Sequence, residues 1–191
     1  MKAIDENYVN VVEVLLADGL DVDVDVKDKY GNTPLMKAVD DNNVAIVRVL
    51  ITGGANVEAK DKYGKTPLRN ASDYERVAVV EALIEGGADV NAKDEHGHTA
   101  LISESGKGHA VVVRALIAGG ANVNAKDNDG GTPLMNASYK GHEDVVRLLL
   151  AMPGIDVNAI DNDGWTALKW ASRHENSAET IDLLLKMGAT E

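Results

Sequence analysis

Asp61-Lys62-Tyr63-Gly64-Lys65-Thr66-Pro67-Leu68 carries the reading of the whole chain, because the sequence writes variants of it several times. A helix of small residues, an apolar helix and then Gly86-Gly87-Ala88-Asp89-Val90-Asn91 complete the unit. The threonine after each glycine turn recurs at Thr33, Thr66, Thr99, Thr132 and Thr166, so the spacings are 33, 33, 33 and 34. A fixed period in this range marks a stacked repeat array, in which each unit contacts mainly its neighbours. The predicted units run approximately over 1–27 (truncated), 28–60, 61–93, 94–126, 127–160 and 161–191.

Within a unit the elements follow from local chemistry. Pro34, Pro67 and Pro133 suit a first helical turn, where the missing N–H costs nothing, and the preceding threonine can cap. Asn42-Asn43 breaks the first helix of the second unit, and Ile46, Val47, Leu50 and Ile51 space a second helix that Gly53 or Gly54 ends. Two short helices cannot bury both faces alone, so adjacent units supply the missing surface. The first unit begins inside its first helix, with Ala3 in the place of Ala38, and continues with Val11, Val12, Leu15, Leu16 and the turn at Gly19. Asp21-Val22-Asp23-Val24-Asp25-Val26 then carries two extra residues, and its alternation predicts an extended hairpin arm with a bulge or an enlarged loop. In the last unit Ile181, Leu184 and Leu185 are expected to pack, with Glu179, Asp182 and Lys186 on the polar side.

These marks resemble the ankyrin repeat. They are Gly-x-Thr-Pro/Ala-Leu at Gly31, Gly64, Gly97, Gly130 and Gly164, Gly-His at Gly108-His109 and Gly141-His142, and Gly-Ala-Asn/Asp-Val-Asn/Glu around Gly54, Gly87 and Gly120. The resemblance covers essentially the whole chain. It implies an all-α solenoid of about six helix-turn-helix units with β-hairpin fingers, whose finger tips and inner helices form a concave face that holds other proteins. The chain departs from the family where a histidine usually follows Thr-Pro-Leu; here stand Met36, Arg69, Ile102, Met135 and Lys169. Two one-residue insertions, at Met152-Pro153-Gly154-Ile155 and Glu175-Asn176-Ser177, fall where loops tolerate them.

Composition narrows the function. The absence of cysteine removes disulfides, cysteine-containing zinc sites and thiol catalysis, and fits a reducing, cytoplasmic compartment. Lys2, Asp5, Glu6 and Asn10 interrupt any apolar leader, and no stretch approaches the roughly 18 apolar residues of a membrane span. A net charge of -12 repels phosphate backbones and anionic lipid, so neither nucleic acid nor membrane is expected as a partner, and no cofactor is implied. The expected partner is another protein; self-association through the truncated first unit and the last helix is a further expectation.

Residues that vary on a constant frame are where a binding surface lies. The predicted contact set is Tyr30, Tyr63, Lys65, Arg69, Asn70, His96, His98, Ile102, Ser103, Met135, Asn136, Trp165 and Trp170. Tyr and Trp anchor interfaces through large area and few rotors, which makes Tyr63 and Trp165 the leading anchors.

One copy departs from its siblings in a costly way. Glu104 occupies the place held by Ala38, Ala71, Ala137 and Ala171, where adjacent helices approach closely. Ser103, Ser105, His98 and His109 lie near it in sequence, and Gly131, the counterpart of His98, leaves room beside it. Serine, imidazole and carboxylate are the parts of a nucleophilic triad, so a second reading is an engineered ankyrin scaffold carrying a hydrolase-like site of Ser103, Ser105, His98, His109 and Glu104. A third assigns His96, His98 and Glu104 to a metal ion, without the spacing that would strengthen it. The plainest reading makes His109 an ordinary Gly-His residue bridging loops and Glu104 a tolerated substitution.

Overall fold

Five threonines start five helices in the same way. The hydroxyls of Thr33, Thr66, Thr99, Thr132 and Thr166 accept from the amides of Met36, Arg69, Ile102, Met135 and Lys169, each three residues on. Such a cap satisfies an amide that the helix leaves unpaired, at about 1 kcal/mol apiece. The computed structural model describes residues 23–173 and 178–190. The chain divides into two compact units, Met1–Asp89 and Val90–Glu191. The first holds α1 (Pro34–Asp40), α2 (Val44–Thr52), α3 (Pro67–Asp73) and α4 (Val77–Glu85). The second holds α5 (Ala100–Lys107), α6 (Ala110–Ala118), α7 (Pro133–Lys140), α8 (Glu143–Leu150), α9 (Ala167–Ala171) and α10 (Ala178–Lys186). Inner helices stack on inner helices, α1 on α3 and α5 on α7 on α9, and each packs against its own outer helix.

The fingers between units are tight loops closed by hydrogen bonds, and no strand occurs among the described residues. A single aspartate organises each one. Asp61 Oδ1 accepts from the amides of Tyr63 and Lys65 at 2.8 and 2.9 Å, while the Asp61 amide donates to the Lys65 carbonyl at 3.1 Å. Asp28, Asp94, Asp127 and Asp161 repeat the arrangement. With the loop closed over four residues, there is no length left for a ladder. The Asn32 amide chiefly, with those of Tyr30 and the Asn32 side chain, holds the Asp28 carboxyl below the usual range.

Side chains also lock each step to the next. The Asn56 amide donates to Asp25 and the Asp89 amide to Glu58, both at 2.9 Å. In the second unit the amides of Asn122, Asp156 and Thr190 donate to Asn91, Asn124 and Asn158 at 2.8–2.9 Å. This ladder explains a correction at the extended arm expected over 21–26. Val24-Asp25 is a turn in which Asp23 Oδ1 accepts the Asp25 amide at 2.9 Å, and that turn aims the Asp25 carboxylate at Asn56. The expectations for Ala3, Val11, Val12, Leu15, Leu16, Gly19 and the Glu175-Asn176-Ser177 loop lie outside the described residues.

The apolar interior runs as a seam along the helices. Leu35, Val39, Ile46, Val47 and Leu83 are fully buried in the first unit, and Leu101, Val112, Val113, Leu116, Val145, Val146, Leu149 and Leu184 in the second. Ala38, Ala71, Ala137 and Ala171 are also fully buried, as their small size at the helix contacts requires. Leu185, expected to pack, is instead 54% exposed, because one helical position beyond the buried Leu184 turns it about 100° away from the core.

Candidate functional sites

The finger and inner-helix positions of the first unit carry two open tyrosines. Tyr30 is 47% and Tyr63 74% exposed. Lys62 Nζ lies 4.8 Å from the Tyr30 ring centre and 4.7 Å from that of Tyr63, and Lys29 lies 4.8 Å from Tyr30. Behind them Lys65 Nζ and Arg69 Nε meet the Asp73 carboxylate at 2.6 and 3.1 Å, so those two expected contact residues are already engaged within the unit.

The second unit carries a denser aromatic group. Trp170 lies between Tyr139, edge-on at 5.2 Å, and Trp165, tilted at 4.8 Å. One carboxylate positions both tryptophans: Asp161 Oδ1 accepts the Trp165 amide and Oδ2 accepts Trp170 Nε1–H, each at 2.8 Å. Lys169 Nζ and the Arg173 guanidinium lie 4.6 and 4.7 Å from the Trp165 ring centre, and Lys140 Nζ lies 5.0 Å from that of Tyr139. Tyr139 was missed by sequence reasoning, although a signal existed. It stands three residues after Asn136, the counterpart of Trp170, and so shares a helix face with that position.

Several expected contact residues are not surface residues. Ile102 and Met135 are 2% and 3% exposed, and Asn70 is also buried. The third position of α5 and α7 and the fourth of α3 face inward; Met135 packs there and its Sδ accepts the Thr132 amide at 3.4 Å. Ser103 and Asn136 are half-buried; the Asn136 side chain donates to the Thr132 carbonyl at 3.1 Å.

Glu104 is fully buried and is held by Lys107 and His109. Its Oε1 meets Lys107 Nζ at 2.9 Å and its Oε2 meets His109 Nδ1 at 2.6 Å. Lys107, which the sequence reading passed over, reaches it from the next turn of the same helix, three residues on. The acid–base half of a triad therefore exists, and Ser105 does not join it. Ser105 Oγ is buried with no hydrogen-bond partner, and His98 is elsewhere, 3.7 Å from Asp94 and 3.5 Å from Asp127. His96 stands with His98 at a ring separation of 5.9 Å and beside Glu95 at 3.7 Å, so the metal grouping of His96, His98 and Glu104 does not assemble. Among the described residues no three His, Cys, Asp or Glu are grouped to hold a metal ion. Nor is there room at Gly131: a Cβ there would stand 2.7 Å from Asp127 Oδ2, so the finger aspartate occupies that space.

The sequence matches the family described as Ankyrin repeats (3 copies) over residues 1–94, 87–161 and 105–190. This chain belongs to the ankyrin-repeat family. A crystal structure of an ankyrin repeat domain from Acinetobacter baumannii AYE is similar to it, with 33% identity and a TM-score of 0.87 over 99% of this chain and 97% of that one. A search of curated proteins finds no match.

Ankyrin repeats generally serve as protein-interaction scaffolds, and the Gly-His pair shows how this frame is held. His142 Nε2 meets the Gly106 carbonyl of the preceding repeat at 3.1 Å. Gly108 has a φ of +81°, and a Cβ on it would stand 2.6 Å from His142 Nδ1, so both backbone and space demand glycine there. Among the described residues no helix is long and apolar enough to cross a membrane.

Proposed function

We propose that the chain binds another protein, without catalysis, through the face built from its fingers and inner helices. The observation that carries this reading is the placement of cation-flanked aromatic rings, exposed at Tyr63 and half-buried at Trp165, at positions where the repeats differ, on a frame whose caps and ladders repeat. A rigid frame avoids ordering costs on binding, and Tyr63 and Trp165 supply area with few rotors. The inward positions Ile102, Met135 and Asn70 act as floor beneath that surface.

Affinity capture with the chain and its Tyr63→Ala and Trp165→Ala variants, read by quantitative mass spectrometry, tests the reading. Captured protein is expected to fall at least about threefold with one variant or the other, well within the loss a truncated interface anchor causes. Capture that neither substitution changes removes this face from the function.

The Glu104–His109 contact at 2.6 Å favours a second reading, a reactive serine served by that pair in a designed site. Adduct mapping after a fluorophosphonate probe decides it. Labelling at Ser103 or Ser105 that disappears in His109→Ala supports the enzyme; an unlabelled chain ends it.

A further inference from the structure

The aromatic group of the second unit has a property that the tyrosines of the first share only in part: its cations keep their charge. Lys140, Lys169 and Arg173 are exposed, and none has a carboxylate partner among the described residues. Aromatic faces hold them instead. A ring attracts a cation through its quadrupole, at about 0.5–1 kcal/mol on a surface, without neutralising it. The contrast is with Arg69 and Lys65, which share the Asp73 carboxylate.

The floor beneath these cations is preorganised. Asp161 holds the Trp165 backbone through its amide and the Trp170 ring through its indole N–H, and the Trp165 ring rests on Trp170 at 4.8 Å, which lowers the ordering cost when a ligand arrives. Three cations without ion pairs among the described residues stand around a platform whose one carboxylate, Asp161, is engaged, which sets this patch apart from the average of a chain of net charge -12. At physiological salt the screening length is about 8 Å, so a short ligand responds chiefly to the groups of the platform itself, where Asp161 is already engaged by the Trp165 amide and the Trp170 indole N–H. A long polyanion is different, since it would also run across the exposed Asp163 at the tip of the Trp165 finger and Asp129 of the preceding finger.

We propose that the Tyr139–Trp165–Trp170 platform with Lys140, Lys169 and Arg173 docks a short acidic peptide segment of the partner protein. Its carboxylates meet the three cations, and one apolar side chain rests on the indoles. This rests on the protein-binding reading above and narrows it to a class of partner.

The two tryptophans of the chain are both in this platform, so tryptophan emission, excited beyond the tyrosine band, reports on it alone. The full chain is titrated at low salt with a blocked octapeptide of alternating glutamate and leucine, with its glutamine and leucine counterpart, and with oligothymidine. A saturable change with the acidic peptide is expected, absent with the glutamine peptide, and weakened by about tenfold or more in Lys169→Glu/Arg173→Glu and again by raised salt. Equal response to both peptides, tighter binding of oligothymidine, or an unchanged affinity in the charge-reversed variant overturns the proposal. If the acidic peptide fails while captured protein still depends on Tyr63 or Trp165, the acidic class falls and the binding reading stands. If captured protein ignores both substitutions, the binding reading falls with it.

Discussion

The repeat copies that carry Glu104 and Ala137 share a frame, and at this one inward position they differ in kind, an acid against an alanine. Both residues are fully buried. The alanine asks nothing of its surroundings. The glutamate recruits Lys107 from its own helix and His109 from the start of α6, and its two oxygens are spent on them. The corresponding histidine, His142, has no carboxylate below it and holds the Gly106 carbonyl with Nε2. One substitution thus turns a packing contact into a buried ionic cluster while α5 keeps the cap and length of α7. The repeat frame tolerates such a change because the Gly-His pair already brings an imidazole within reach.

The largest expected effect comes from breaking that cluster halfway. A buried carboxylate that loses a partner keeps its desolvation cost, so His109→Ala is expected to destabilise by about 2–4 kcal/mol. Glu104→Ala copies the sibling repeat, removes the charge and its partners' task together, and is expected within about 1 kcal/mol of the parent or above it. The double variant should resemble Glu104→Ala, giving a coupling of about 2–4 kcal/mol in a urea-unfolding cycle. Additive losses would mean that the two side chains act independently, and the contrast between the two copies would lose its cause.

The frame was readable because it is written five times: threonine caps, glycine turns and buried alanines each have one physical role and recur at one spacing. Glu104 was readable as an anomaly for the same reason. Its partners were not. Sequence nearness drew in His98 and Ser105, but His98 sits on a finger whose loop aims it between Asp94 and Asp127, and the Ser105 hydroxyl points into the interior. Met36, Ile102 and Met135 vary like surface residues and yet are buried, since variation among apolar side chains is also how a core adjusts its fit. The aromatic platform was half legible. Trp165 and Trp170 stood out by type, whereas Tyr139 joins them only through stacking between consecutive repeats.

A smaller effect sharpens the same comparison at the loop between helices. Gly108 and Gly141 end α5 and α7 at φ of +81° and +69°, and their counterparts one and two units earlier are Glu75 and Asn42, both at φ 54°. Asparagine visits this left-handed region readily; for glutamate it costs about 1–2 kcal/mol. Replacing Glu75 by glycine removes that cost but adds freedom to the unfolded chain, which returns about 0.5–1 kcal/mol. The balance predicts a gain of about 0.5–1 kcal/mol for Glu75→Gly, and a loss for Glu75→Ala, which keeps the Cβ and gives up the side chain. Urea unfolding of both variants separates backbone from side chain. A glycine variant less stable than the parent would show that the contacts of the Glu75 side chain outweigh its strained backbone, and that the first unit ends its inner helix by a different balance of forces from the two Gly-His copies.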